Sequence, residues 1–165
     1  MRRVLITGLS GVGKSTVLAR LAALGHRVIE TDDDGWLRDV QVEGPDGRTT
    51  TEPLLVTERL DAALADEKGE LLVVVATARN QGELYDRFDA IVLLTAPVEV
   101  MAHRLMTRTT NPYGKDPAER AAALTYKETV EPLLRRGTTL EIDTGRTGVE
   151  DVVAQILRHI GLATP

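Results

Sequence analysis

The chain has 165 residues, 42% of them apolar, 27% charged and only 3% aromatic, the balance of one globular domain with a core of Leu, Val, Ile and Ala. A formal charge of -5 argues against a nucleic-acid surface, and the absence of cysteine removes disulfides, thiolate metal sites and cysteine nucleophiles. The longest apolar run, Leu71 to Ala76, is far too short to cross a bilayer, and the N-terminus enters a strand instead of a signal peptide, so a cytoplasmic protein with no membrane partner is expected.

Arg3 to Thr7 reads as a short buried strand, followed by a glycine-punctuated turn from Gly8 to Gly13. Ser15 to Leu24 has helical spacing, and Gly25 stops it at C′. Arg27 to Glu30 is a second short strand. Asp33 to Thr51 is polar and rich in Gly and Pro, which predicts an irregular loop. Pro53 to Asp66 returns to helical periodicity. Strands are expected at Leu71 to Ala76, Ala90 to Leu94 and Thr139 to Ile142. Pro97 opens a helix to about Arg108, the polar turn Thr109 to Asp116 follows, and Pro117 to Leu134 forms a helix kinked or ended at Pro132. Val149 to Ile160 closes the chain as a helix. Apolar strands alternating with helices predict a three-layer α/β/α fold around a five-stranded parallel sheet. Ligands in such folds sit beyond the carboxyl ends of the strands, where most of these polar clusters fall.

Gly8-Leu9-Ser10-Gly11-Val12-Gly13-Lys14-Ser15 matches G-x-x-x-x-G-K-[ST] in full, and it lies between a strand and a helix as that motif requires. The glycines let backbone N–H groups turn inward around phosphate, and the helix N-terminus adds its positive end. Lys14 supplies a point charge to the phosphate oxygens, Ser15 offers its hydroxyl to Mg²⁺, and Thr16 completes the nucleotide-binding stretch. A GTPase is disfavoured because no N-K-x-D motif occurs and the D-x-x-G match at Asp32 comes too early. The strand ending LLVVVATA lacks a Walker-B acid, which disfavours motor ATPases and leaves the small kinases.

The segment GLSGVGKSTVLARLAALGHRVIETDD resembles the opening of gluconate and shikimate kinases, relatives of the nucleoside monophosphate kinases. VVVATARNQGELYDRFD, HRLMTR and EIDTGRTGVEDVVAQIL resemble later segments of the same kinases, in the same order. The resemblance implies an ATP- and Mg²⁺-dependent phosphotransferase acting on a hydroxyl of a small-molecule acceptor. By that resemblance Glu30 stands near the metal through water, and Asp32 binds the acceptor hydroxyl. A carboxylate so placed orients the hydroxyl and takes its proton during in-line attack.

Arg104 and Arg108 share a helix face at the entrance of a lid spanning about residues 109–117. Arg108 is assigned to the phosphates and Arg104 to adenine or phosphates, while Thr144 and Arg146 lie in the segment where such kinases hold adenine. The acceptor-binding region spans about residues 32–66, and the acceptor-binding candidates are Asp32, Asp34, Arg79 and Glu131. Arg79 replaces a glycine of the shikimate kinases, and Glu131 stands where they place a carboxylate-binding arginine, so a neutral or cationic polyol-like acceptor is favoured over shikimate. Trp36 either stacks on the acceptor or is structural. A nucleoside or nucleotide kinase and a regulatory module that only binds nucleotide are the alternatives. Monomer and homodimer are both compatible with the sequence.

Overall fold

The structure is a computed structural model that describes residues 1–33, 35–44 and 46–164. In chain order the elements are β1 (Arg2–Thr7), α1 (Lys14–Ala23), β2 (Arg27–Glu30), β3 (Leu37–Glu43), β4 (Thr49–Leu55) and α2 (Thr57–Ala65). They continue with β5 (Leu71–Val75), a 3-10 segment (Gln81–Arg87), β6 (Ala90–Thr95), α3 (Val98–Thr107), α4 (Pro117–Thr129), α5 (Glu131–Arg135), β7 (Leu140–Asp143) and α6 (Val149–His159).

Five strands form one sheet in the order β2-β5-β1-β6-β7, every pair parallel. The strand alternation divides the core into two layers. Val4 and Ile6 of β1 point into the larger layer with Leu21 of α1, Met101 of α3 and Ile156 of α6. Leu5 points to the other face, where Leu60 and Leu64 of α2 and Leu84 cover it. Because both faces are covered, β1 and β5 read as unbroken apolar runs and not as alternating ones. The arrangement is the α/β/α sheet fold expected from the sequence, and all five strands end their carboxyl termini on one side.

Two expectations are corrected. Asp33 to Thr51 is not simply a loop: β3 and β4 pair antiparallel from Leu37–Leu55 to Glu43–Thr49 as a separate hairpin. Half of its fourteen residues are exposed and only Leu55 is fully buried, so the short alternation Val40-Gln41-Val42-Glu43 was too weak to mark it against the surrounding Gly and Pro. Pro53 accordingly lies inside β4 and α2 begins later, at Thr57.

The second correction concerns Glu131. Its residue is only 3% exposed, and its carboxylate accepts from Lys127 Nζ at 2.7 Å, Arg135 Nη2 at 2.9 Å and Thr95 Oγ1 at 3.0 Å. The Lys127–Glu131–Arg135 spacing puts both cations on the carboxylate's own helical face. A carboxylate compensated in this way is a tether between α4, α5 and the end of β6, not an open group for an acceptor. Removing it strands a half-buried ammonium, so Glu131→Ala is expected to cost about 3 kcal/mol in urea denaturation. A loss below about 0.5 kcal/mol would show that the cluster carries no stability.

Candidate active site

The loop after β1 depends on backbone conformations that glycine alone adopts comfortably. Gly8 has φ 148° and Gly13 φ 94°, and a Cβ on Gly8 would collide with the carbonyl oxygen of Leu94. Gly13 is also the N-cap of α1, so no side chain caps that helix, and no acidic residue lies in its first turn. Its orphan N–H groups and positive end are therefore left for an anion.

Lys14 leads the helix. Its ammonium turns back over the loop and donates to Gly8 O at 2.7 Å and Leu9 O at 3.0 Å. Burial of that ammonium lowers its pKa to about 8, against the opposing pull of Asp32 and Glu30, while Arg108 adds to the lowering. Gly8 O also accepts from Thr77 Oγ1 at 2.8 Å, which fixes the loop to the segment after β5. Deeper in, buried Gln81 accepts from Ala78 N–H at 3.0 Å and donates to Thr7 Oγ1 at 3.0 Å and Tyr85 Oη at 2.9 Å. These bonds lock the carboxyl ends of β1 and β5 into one platform.

The acids enter from the end of β2. Ser15 Oγ donates to Glu30 Oε2 at 3.3 Å. Burial raises the Glu30 pKa, and the charge of Asp32 raises it further. Asp32 is exposed, yet it is close enough to act on Lys14, Glu30 and Arg108 alike. The Ser15 hydroxyl with one adjacent carboxylate suits a Mg²⁺ ion held mostly by nucleotide oxygens and water. No group of three or more His, Cys, Asp or Glu able to hold a metal by itself occurs among the described residues.

From the other side come the arginines. Burial lowers the Arg108 pKa, its Nη2 donates to Tyr113 O at 2.6 Å, and its buried Nε has no partner. Arg104 donates from Nη1 to Gly11 O at 3.3 Å and to Thr144 Oγ1 at 2.9 Å, and from Nη2 to Thr144 O at 2.9 Å. Thr144 Oγ1 in turn donates to Val12 O at 2.7 Å. Arg104 and Thr144 therefore bolt the phosphate loop to the turn after β7. Arg146 stands apart on the surface, paired with Asp143 at 3.6 Å.

A cleft of about 1520 Å³ extends from this centre, touching Gly8, Lys14, Glu30 and Asp32. Part of its wall is the β4 stretch Thr50 to Leu54, held by Asn80, whose side chain brackets Leu55 through N–H at 2.9 Å and C=O at 3.1 Å. Arg79 lines the cleft and pairs with Glu52 at 2.6 Å. Arg136 lines it as well. Trp36 does not line the cleft, and Arg59 covers its ring at 4.1 Å from the centroid. Asp34 lies outside the described residues. Among the expected site residues, Lys14, Ser15, Glu30, Asp32 and Arg108 come together, Arg79 joins them at the cleft, and Glu131 does not. Thr77 and Gln81 were missed; the small residues ending β5 were the only trace of them.

This centre is that of a P-loop nucleotide-binding protein. An AAA domain family matches residues 4–126. Shikimate kinase of Mycobacterium tuberculosis is 30% identical over 99% of this chain and 96% of that one. Among solved structures, the shikimate kinase from Acinetobacter baumannii in complex with shikimate superposes with TM-score 0.62 at 19% identity, covering 97% of this chain and 93% of the other. A gluconokinase from Sinorhizobium meliloti 1021 gives TM-score 0.56 at 23% identity, covering 96% and 91%. The chain belongs to this AAA-domain P-loop family and, within it, to the ATP-dependent small-molecule kinases related to shikimate kinase.

The lysine sets a pH dependence. Phosphate favours the ammonium, whereas the ligand-free Lys14 loses its proton as pH rises through about 8. Nucleotide affinity is thus expected to hold below that pH and to fall above it, approaching about tenfold per unit. Calorimetric titration with ADP on both sides of that pH checks this, and an affinity that stays flat or rises would contradict it.

Proposed function

We propose that the protein transfers the γ-phosphate of Mg-ATP to a hydroxyl of a small neutral or cationic acceptor bound in the cleft beside Asp32. The observation that carries this reading is that Asp32, Lys14 and Glu30 line one part of the cleft together, with the Arg108 guanidinium near enough to feel the charge of Asp32. Asp32 would accept a hydrogen bond from the acceptor hydroxyl and take its proton as that oxygen attacks the γ-phosphorus. The bond from the γ-phosphorus to the bridging oxygen breaks, and ADP departs. Lys14 and Arg108 would stabilise the charge that spreads over the transferred oxygens. Ser15, with Glu30 through water, would hold Mg²⁺, which neutralises the β and γ oxygens when bound.

Charge supports the acceptor class. Glu30, Asp32 and Glu52 line the cleft, and Glu52 compensates Arg79. Residues 109–117 are assigned as a lid whose closure brings Arg108 from Tyr113 O to the phosphates. Arg104, engaged with Gly11 and Thr144, is assigned to nucleotide positioning near the adenine. A second reading, a nucleotide kinase with an anionic acceptor, is favoured by Arg136, which lines the cleft and enters none of the ion pairs among the described residues. The cytoplasm is the assigned compartment, since ATP is available there; no described helix is long and apolar enough to cross a membrane.

ADP release from Mg-ATP across polyols, aminated sugars, sugar acids, nucleosides and nucleotides tests the proposal. Stimulation by at least one neutral or cationic acceptor is expected. Lys14→Ala and Asp32→Asn should each lower kcat at least about 100-fold, with Asp32→Asn leaving ADP affinity nearly unchanged. Full turnover in Asp32→Asn would remove it from the acceptor, and ATP binding without stimulation by any acceptor would overturn the transferase reading.

A further inference from the structure

Beyond its polar wall the cleft has an apolar one. Ala123, Tyr126, Val130 and Leu133 all line it, and they run as one stripe from α4 across Val130 into α5. Such spacing ordinarily marks a face turned to the core. Here Ala123 is buried, but Tyr126 is 45% exposed and Leu133 55%. Among the described residues these are two of only four large apolar side chains left exposed, and both open onto the cleft that reaches Asp32. Tyr85 and Tyr113, each partly buried, extend the same lining.

Resting on the kinase reading, we infer that the acceptor is an amphipathic hydroxy compound: its reactive hydroxyl lies at Asp32, and an apolar or planar face lies against Tyr126 and Leu133. A bare polyol hydrated on every side would gain nothing from this wall and would leave it wet. A nucleoside or an aryl glycoside matches both walls, one by its hydroxyls and the other by its ring. The stripe is continuous with the phosphate-transfer centre, which distinguishes it from a surface patch for a protein partner.

The test compares matched acceptors in the ADP-release assay: glycerol, sorbitol and methyl glucoside against phenyl glucoside, uridine and adenosine. The ring-bearing acceptors should give kcat/KM at least about tenfold higher than their bare counterparts. Leu133→Ser and Tyr126→Ser, both at exposed positions that do not support the fold, should raise KM for the ring-bearing acceptor about tenfold with a smaller change in kcat. Equal or better use of the bare polyols, with KM untouched by both substitutions, would overturn the inference while leaving the kinase intact. Stimulation by neither set would overturn both. If nucleotide closes the lid over the stripe, Leu133→Ser would raise the KM for every acceptor alike, and that uniform effect also counts against an acceptor-facing role.

Discussion

Everything at this site depends on one buried ammonium. Lys14 is drawn out of water by the turn that precedes α1, and among the described residues the carbonyl oxygens of Gly8 and Leu9 are its hydrogen-bond partners. Neutral carbonyls are weak compensation for a desolvated charge, which is why its pKa falls. A phosphate group is the better partner, and the uncapped N–H groups of α1 face the same space. The loop is thus built in a state of unmet demand for an anion. Glu30 and Asp32 raise the Lys14 pKa without outweighing its burial, and both carboxylates line the cleft beside it.

The fold delivers this geometry through the sheet. β1 lies between β5 and β6, so its carboxyl end is flanked by neighbours whose ends can be bonded to it. Thr77 and Gln81 supply those bonds on one side, and Arg104 with Thr144 on the other. The phosphate loop is therefore bonded to its neighbours on both sides. On the proposed reading the acceptor lies between the β3–β4 hairpin and the α4–α5 stretch, whose polar ties to the platform include Asn80 and the Glu131 cluster. A chain built this way can keep its phosphate chemistry while its acceptor changes, because different elements carry the two.

What could be read from the sequence follows the same division. β1, β5 and β6 are buried on both faces, so their composition alone marks them, and the phosphate loop is marked by glycines whose conformations few other residues tolerate. The hairpin was illegible because, of Leu37 to Glu43 and Thr49 to Leu55, only Leu55 is fully buried and half the residues are exposed, so its pairing leaves a weak pattern of burial in the sequence. Glu131 was misread although Lys127 and Arg135 stand four residues to either side of it. Pro132 suggested an interrupted helix, and the helix does break at Val130 between α4 and α5, yet the four-residue spacing of the three charges spans that break. The stripe from Ala123 to Leu133 was invisible as a cleft wall, since the spacing of a core face and of a ligand face is the same.

Phosphorus-31 NMR of the protein with Mg-ATP and an accepted hydroxy compound tests the central claim most directly. Transfer to a hydroxyl requires a new phosphomonoester resonance that grows as the γ-phosphate signal decays, and that requires both to stop in Lys14→Ala. Inorganic phosphate as the sole product, formed at one rate with or without acceptor, would contradict it.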